Sequence, residues 1–263
     1  MAVFYDQLNK RVELPSVPKR IISVVPSQTE LLFYLGLDVE VIGITKFCIH
    51  PTDKFKTTTK VGGTKQLNIQ QIKELKPDLI IANKEENDKS QIEELIHIYP
   101  VWISDISNLD EALDMIIKVG ELVDRNDKSE RLVKDIVQQF NQFTTPKLNL
   151  SVAYFIWRKP YMVAGKQTYI DNLLERCGLV TVSKDDRYPE VTEQMLIDAN
   201  PDVILLSSEP YPFTQKHIEE FQLLLPDAKV ILVDGEMFSW YGSRLLQVPT
   251  YFKQLIETIT AKQ

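Results

Sequence analysis

Seven aromatic side chains, Trp157, Tyr161, Tyr211, Phe213, Phe238, Trp240 and Tyr241, fall in three short segments of the C-terminal half, each directly after an apolar run that reads as a strand. Flat, stiff rings at strand ends make an apolar floor for a large planar ligand, and the Tyr and Trp tips add hydrogen-bonding edges. Carboxylates accompany them: Glu209 after Val203-Ile-Leu-Leu, and Asp234 and Glu236 after Val230-Ile-Leu-Val. In the N-terminal half, Ser27 and Gln28 follow the run ending at Val25, Phe47 and Cys48 follow Ile44, and Glu85 and Asn87 follow Ala82. Loops at the carboxyl ends of parallel strands are the usual binding positions of α/β sheets. The candidate ligand-binding set is therefore Ser27, Gln28, Phe47, Cys48, Glu85, Asn87, Trp157, Tyr161, Glu209, Tyr211, Phe213, Glu236, Trp240 and Tyr241. The aromatics would stack on the ligand, and the helix starts at Ser27 and Thr168 offer N–H groups to an anionic edge.

Other chemistries find less in the residues. Cys48-x-His50 with Glu85, Glu86, Glu209, Asp234 and Glu236 supplies ligating atoms, but a direct metal centre gathers three or four N, S or O ligands. The chain has only three histidines. His97 lies between isoleucines and His217 precedes Ile218, neither with a ligand partner one helical turn on, so both read as structural or surface residues. Metal ligands stay unassigned. Gly62-Gly-Thr-Lys lacks phosphate-loop spacing, and neither G-x-G-x-x-G nor G-x-S-x-G occurs. Ser27 has no histidine placed to activate it, and a helix-capping role accounts for it. No catalytic residue is assigned, and a metal-dependent or carboxylate hydrolase is the remote alternative.

The elements that position these residues follow from pattern. Residues 68–81 (NIQQIKELKPDLII) and 192–206 (TEQMLIDANPDVILL) repeat one another, each with a Gln (Gln70, Gln194) seven residues before a Pro-Asp pair. Ser27-Gln-Thr-Glu-Leu-Leu ending in Leu-Gly-Leu echoes Gln167-Thr-Tyr-Ile-Asp-Asn-Leu-Leu ending in Cys-Gly-Leu. A repeat this long is a domain duplication. Two similar lobes imply a cleft between them, where small ligands bind. Strand-like and helix-like runs alternate, as in parallel sheets covered by helices. Ser27 is expected to cap a helix with Glu30 as its partner and Gly36 as its end, and Thr168 to cap another with Asp171. From Leu109 to Phe143 the apolar spacing is helical, with Asp124-Arg-Asn-Asp as a candidate joint, and at ~1.5 Å per residue the segment would reach about 50 Å as a strut. The expected fold is α/β: two Rossmann-like lobes with parallel sheets joined by a single long backbone helix. The lobes are 1–108 and 144–263, and the helix is 109–143.

The net charge of −7 and pI near 5.2 argue against nucleic acid, and no apolar run approaches the ~20 residues of a membrane span. The first residues, MAVFYDQLNKRVELP, lack a basic start followed by an apolar stretch. That predicts a cytoplasmic protein if Met1 is the native start, or a periplasmic or cell-surface one if a leader was removed. Cys48 and Cys177 read as buried thiols rather than a disulfide.

Arg20-Ile-Ile-Ser-Val-Val-Pro-Ser-Gln-Thr-Glu-Leu-Leu, Val61-Gly-Gly, Leu75-Lys-Pro-Asp-Leu-Ile-Ile-Ala, Tyr161-Met-Val-Ala-Gly-Lys-Gln-Thr-Tyr-Ile-Asp-Asn-Leu-Leu, Pro189-Glu-Val and Asn200-Pro-Asp-Val-Ile-Leu-Leu resemble the substrate-binding proteins of cobalamin and iron-chelate ABC transporters. The likeness runs from about residue 11 to 255. It implies two α/β lobes on one backbone helix and non-enzymatic capture of a corrinoid, haem, siderophore or other metal chelate. It implies no covalent cofactor, a monomer outside the bilayer, and delivery to a membrane permease. The surface acid that each lobe commonly offers to permease arginines stands here as Gln70 and Gln194, with Glu74 and Glu193 nearby. A neutral amide forms weaker pairs than a carboxylate, so a cytosolic corrinoid- or chelate-binding sensor that docks to no permease is the runner-up.

Overall fold

The computed structural model describes residues 2–144 and 147–261. The chain forms two compact units. The first runs from the N-terminus to Ile106 and adds Asp110–Val137 and Tyr241–Arg244; the second comprises Ser107–Leu109, Gln138–Trp240 and the chain from Leu245 on.

The first unit is built on a five-stranded, wholly parallel sheet in the order Thr59–Lys60, Val41–Ile44, Ile21–Ser23, Leu79–Asn83, Val101–Ser104. Ile21–Ser23 and Leu79–Asn83 are buried along their whole length. That is why they read as unbroken apolar runs: a parallel strand covered on both faces has no solvent side to alternate with. The Pro26–Tyr34 helix follows the first strand and differs from expectation at its start. Pro26 occupies the first turn, where its missing N–H is no loss, and Val25 stands at the cap with no side-chain bond. Ser27 is therefore inside the helix, and Glu30 is turned away from the cap to meet Arg244. The expected end does hold: Gly36 takes φ 87° after Leu35, a left-handed angle glycine adopts without a Cβ penalty.

The strut is two helices, Leu109–Leu122 and Asn126–Gln142. Between them Asp124 is left-handed, at φ 55°. Arg125 N bonds Gly120 O at 2.8 Å and Asp124 N bonds Glu121 O at 3.4 Å, the paired bonds that close a helix at a left-handed residue. Gly120 is required because a Cβ there would overlap Ser129 of the second helix. Residues 110–122 of the first helix and 126–137 of the second belong to the first unit.

In the second unit, Leu150–Trp157 runs parallel to Leu179–Thr181 and to Val203–Ser207, which in turn pairs with Lys229–Val233. Its far end turns antiparallel against Tyr161–Val163, which pairs with Glu190–Val191. The sheet is thus mixed, with a parallel core. Phe155, Phe213 and Phe221 lock one face of it, with Phe155 and Phe221 centroids 4.5 Å apart. Cys48 and Cys177 are both buried free thiols.

The duplication is visible as one local device written twice. Asn68 caps Ile69–Leu75 through Gln71 N, and Thr192 caps Glu193–Ala199 through Met195 N. Each helix ends in a left-handed residue, Lys76 at φ 47° or Asn200 at φ 41°. Pro then blocks continuation, and the following Asp grips the start of the unit's first parallel strand. Asp78 accepts Lys19 N at 2.8 Å and Arg20 N at 2.9 Å. Asp202 accepts Ser151 N at 2.7 Å and Ser151 Oγ at 2.6 Å. No helix among the described residues is long and apolar enough to cross a membrane.

Candidate functional site

In the first unit the strand-end loops are held by buried amides and hydroxyls. Asn87 accepts Asn83 N at 2.8 Å and donates to Val24 O at 3.0 Å and Thr64 O at 3.1 Å. Asn83 accepts the backbone N–H groups of Glu85 and Glu86 at 2.8 and 2.9 Å and donates to Ser104 Oγ at 3.0 Å. Gln28 Nε2 also donates to Ser104 Oγ. This network fixes the 83–87 turn from below, so Asn87 is an internal brace. Cys48 is likewise internal: Thr29 Oγ1 and Thr45 Oγ1 lie 3.1 Å from its sulfur, and burial pushes its thiol up to about 11. Such a thiol stays protonated at neutral pH and is a poor ligand or nucleophile.

Two polar atoms at this end, Ser27 Oγ and Gln28 Oε1, are buried and find no partner among the described residues. Phe47 behaves differently: half of it is exposed, and Lys46 Nζ sits 5.1 Å from its ring centroid. An apolar face beside a cation results. Glu85 is half-buried, and its carbonyl accepts Lys65 Nζ at 2.6 Å.

The segment Tyr241–Arg244 completes this unit. Tyr241 Oη donates to Glu86 Oε1 at 2.8 Å. Arg244 forms a two-pronged pair with Glu30, 3.1 Å through Nε and 2.7 Å through Nη2, with both side chains largely enclosed. Gly242, at φ 115°, lies against the Pro26–Tyr34 helix, where an added Cβ would stand 3.3 Å from Ser27 O and from Leu31 Cβ.

In the second unit, Glu209 is the acid held among the loops that carry Ser239 and Trp240. Its Oε1 accepts Ser239 Oγ at 2.5 Å and Trp240 Nε1 at 2.9 Å. Burial raises its pKa, the neighbouring Glu236 and Asp234 add to the rise, and the two hydrogen bonds oppose it. Gly235 permits this approach: a Cβ there would stand 2.6 Å from Glu209 Cγ and overlap Ser207 Oγ. Glu236 opens the short Glu236–Ser239 helix, its N–H bonded to Asp234 Oδ1 at 3.0 Å.

The aromatics divide. Phe213 and Trp240 are buried, Phe213 within the core of its sheet, and Tyr241 packs into the first unit. Trp157 remains 40% exposed and meets half-buried Tyr211 edge-on at 5.8 Å; these two form the open aromatic face of the unit. Half-buried Tyr161 flanks them, its hydroxyl bonded to Glu220, which also receives Arg158 at 2.6 Å. Arg158, Glu220 and His217 are neighbours of this face that sequence pattern passes over. The available signal is Thr214-x-x-His217, a capping box with His in place of Glu.

Gln70, Glu74, Glu193 and Gln194 are all exposed. Gln70 is the second residue of its helix and donates to Glu74 at 3.0 Å; Gln194 is the second residue of its helix and donates to Asp198 at 2.8 Å. The repeat therefore pairs Glu74 with Asp198, not with Glu193. Among the described residues no group of three or more His, Cys, Asp or Glu is gathered as a metal centre.

Comparison with known proteins gives a concordant result. A family model described as periplasmic binding protein matches residues 21–224. A vitamin B12-binding protein of Pectobacterium atrosepticum is 26% identical over 247 residues, covering 88% of this chain and 86% of its own. The uncharacterized ABC transporter substrate-binding lipoprotein YvrC of Bacillus subtilis is 26% identical over 212 residues, covering 76% of this chain and 67% of its own. The crystal structure of the periplasmic vitamin B12-binding protein BtuF of Vibrio cholerae superposes with a TM-score of 0.80 at 20% identity, over 94% of this chain and 100% of that one.

Proposed function

This chain belongs to the periplasmic binding protein family, a family of solute-binding proteins rather than enzymes, and we propose that its ligand is a metal chelate of the corrinoid class, captured for uptake through an ABC permease. The observation that carries the reading is the near full-length likeness to vitamin B12-binding relatives. The open Trp157–Tyr211 face and the half-exposed Phe47 support it, since both suit a broad, flat, partly apolar guest.

In this reading Phe47, Trp157, Tyr161 and Tyr211 touch the ligand, and Ser27, Gln28 and Glu85 meet its polar rim. Glu209, Glu236, Trp240 and Tyr241 shape the loops beside it, whereas Cys48, Asn87 and Phe213 act from beneath. Lys46 over Phe47 favours a ligand with an anionic edge. The permease contact falls to Glu74 and Asp198, the exposed acids at matching positions of the two repeats, with Gln70 and Gln194 orienting them. The protein then works in the periplasm or at the cell surface. Haem and ferric siderophores are the competing chelates.

The deciding experiment titrates the purified protein with cyanocobalamin, haemin and a ferric siderophore, following quenching of tryptophan fluorescence. Saturable binding of cyanocobalamin at micromolar or lower concentration, without turnover, is the expected result. No binding of any of the three refutes the chelate reading.

A further inference from the structure

Behind the aromatic face of the second unit stands a buried imidazole. His217 is the third residue of the Gln215–Leu224 helix. Thr214 N donates to its Nδ1 at 2.8 Å. A backbone N–H can only donate, so Nδ1 carries the lone pair and the ring proton is on Nε2. Nε2 lies 3.4 Å from Tyr211 Oη. The ring also meets Tyr211 and Phe213 edge-on, at 5.6 and 5.3 Å, and Tyr211 in turn meets Trp157 at 5.8 Å.

We propose that His217 is the positioning residue of the Trp157–Tyr211 face: the neutral imidazole holds Tyr211 in place, and a second proton on the ring releases it, so that the face and ligand capture are lost on acidification. This rests on the reading that the face contacts the ligand. A proton on Nδ1 would set two donors against each other across 2.8 Å, with Thr214 N–H on the other side. Thr214 Oγ1, 3.2 Å from Nδ1, can accept the new proton only if the ring shifts off the Thr214 N–H, and that shift disturbs the helix cap, the Tyr211 Oη contact and the edge contacts together.

The surroundings make the neutral ring the resting form. Burial disfavours the charged imidazole first, and the cations of Arg158 and Lys216 add to that; Glu220 opposes it, and the pKa lies below its usual value. Glu220 does not blur the step. Burial works against its carboxylate, but Arg158 and Tyr161 together hold it below the usual Glu range. The phenols of Tyr211 and Tyr161 also face this end, and Glu193 acts on Tyr161.

The test uses the full chain, ¹⁵N-labelled and ligand-free, taken from about pH 7.5 to about pH 5, the range in which imidazoles titrate. The Thr214 amide and the Trp157 indole N–H are expected to move along one curve with the His217 ring. In His217→Gln, whose carbonyl accepts the Thr214 N–H at every pH, both should stay in place. Cobalamin affinity should approach a tenfold loss per pH unit below the imidazole pKa in the wild type, the limit for one linked proton, and stay flat in the variant. A Trp157 indole that ignores the His217 titration, or a variant with the wild-type pH profile, overturns the proposal. Failure of all three chelates to bind at any pH refutes the proposed function alone, because the Trp157 resonance judges His217 without a ligand.

Discussion

The Arg244–Glu30 pair gives the sharpest energetic prediction. The two residues are 214 positions apart, their contacts are 2.7 and 3.1 Å, and only 8% and 18% of the respective side chains is exposed. Removing one partner of a buried pair leaves a charge without compensation, which costs about 3–5 kcal/mol. Water still reaches part of Glu30, so Arg244→Met should sit at the lower end, about 3 kcal/mol. With a urea m-value of about 2–3 kcal/mol/M, the midpoint should fall by about 1–1.5 M. The double variant Arg244→Met, Glu30→Leu replaces the pair with apolar groups and should recover to within about 1 kcal/mol of the wild type. A double-mutant cycle followed by circular dichroism reads the coupling directly. A loss below about 0.5 kcal/mol in Arg244→Met would place the pair in the class of solvated surface bridges. Strict additivity of the two single changes would refute the argument outright.

Three further outcomes follow from particular contacts. Gly235→Ala should destabilise by about 1–3 kcal/mol through overpacking against Glu209 and Ser207 and weaken ligand binding by displacing Glu209; unchanged thermal and binding curves would refute the crowding. Glu209→Gln keeps the Oε1 acceptor and removes the titration. A raised folded pKa means the folded state holds the proton more tightly, so this site's contribution to wild-type stability falls as pH rises from the ordinary value near 4.5. Urea midpoints across that range should show the wild type losing ground to the variant as pH rises. Asp202→Ala should cost about 1–2 kcal/mol, from charge-assisted bonds discounted for exposure. Hydrogen bonds from Ser151 hold the Asp202 pKa below the usual Asp value, so the stabilising contribution is present above the unfolded value and lost as pH falls through the folded one. A wild-type-minus-variant stability difference that does not shrink in acid would contradict this.

The parallel strands and the repeat are legible in the sequence because their causes are local. Leu79–Asn83 and Val203–Ser207 are apolar without alternation, and Pro-Asp after a left-handed residue fixes where each helix must stop. The break at Asp124 is less legible, since helical spacing continues from Leu122 and Val123 to Leu132 and only a polar run hints at the turn. Ser27 misleads because Pro26 is the stronger helix starter. The candidate site is legible as a set of loops but not as a set of surfaces. Phe213 and Trp240 have the same character and setting as Trp157 and Tyr211, yet the loops fold back so that the first pair is buried and the second open. Which ring faces outward is decided by packing over the sheet, and no spacing rule encodes it. The union of Arg244 with Glu30 has no local signal at all.

The polypeptide changes unit five times, after Ile106, Leu109, Val137, Trp240 and Arg244. A nascent chain emerges from its N-terminus and tends to fold domain by domain, but this first unit is still missing residues 241–244 when the rest of it has left the ribosome. Its final assembly waits until residues 241–244 have been translated. For the same reason, a gene cut at the midpoint of the duplication would yield an N-terminal fragment deprived of its last stitch.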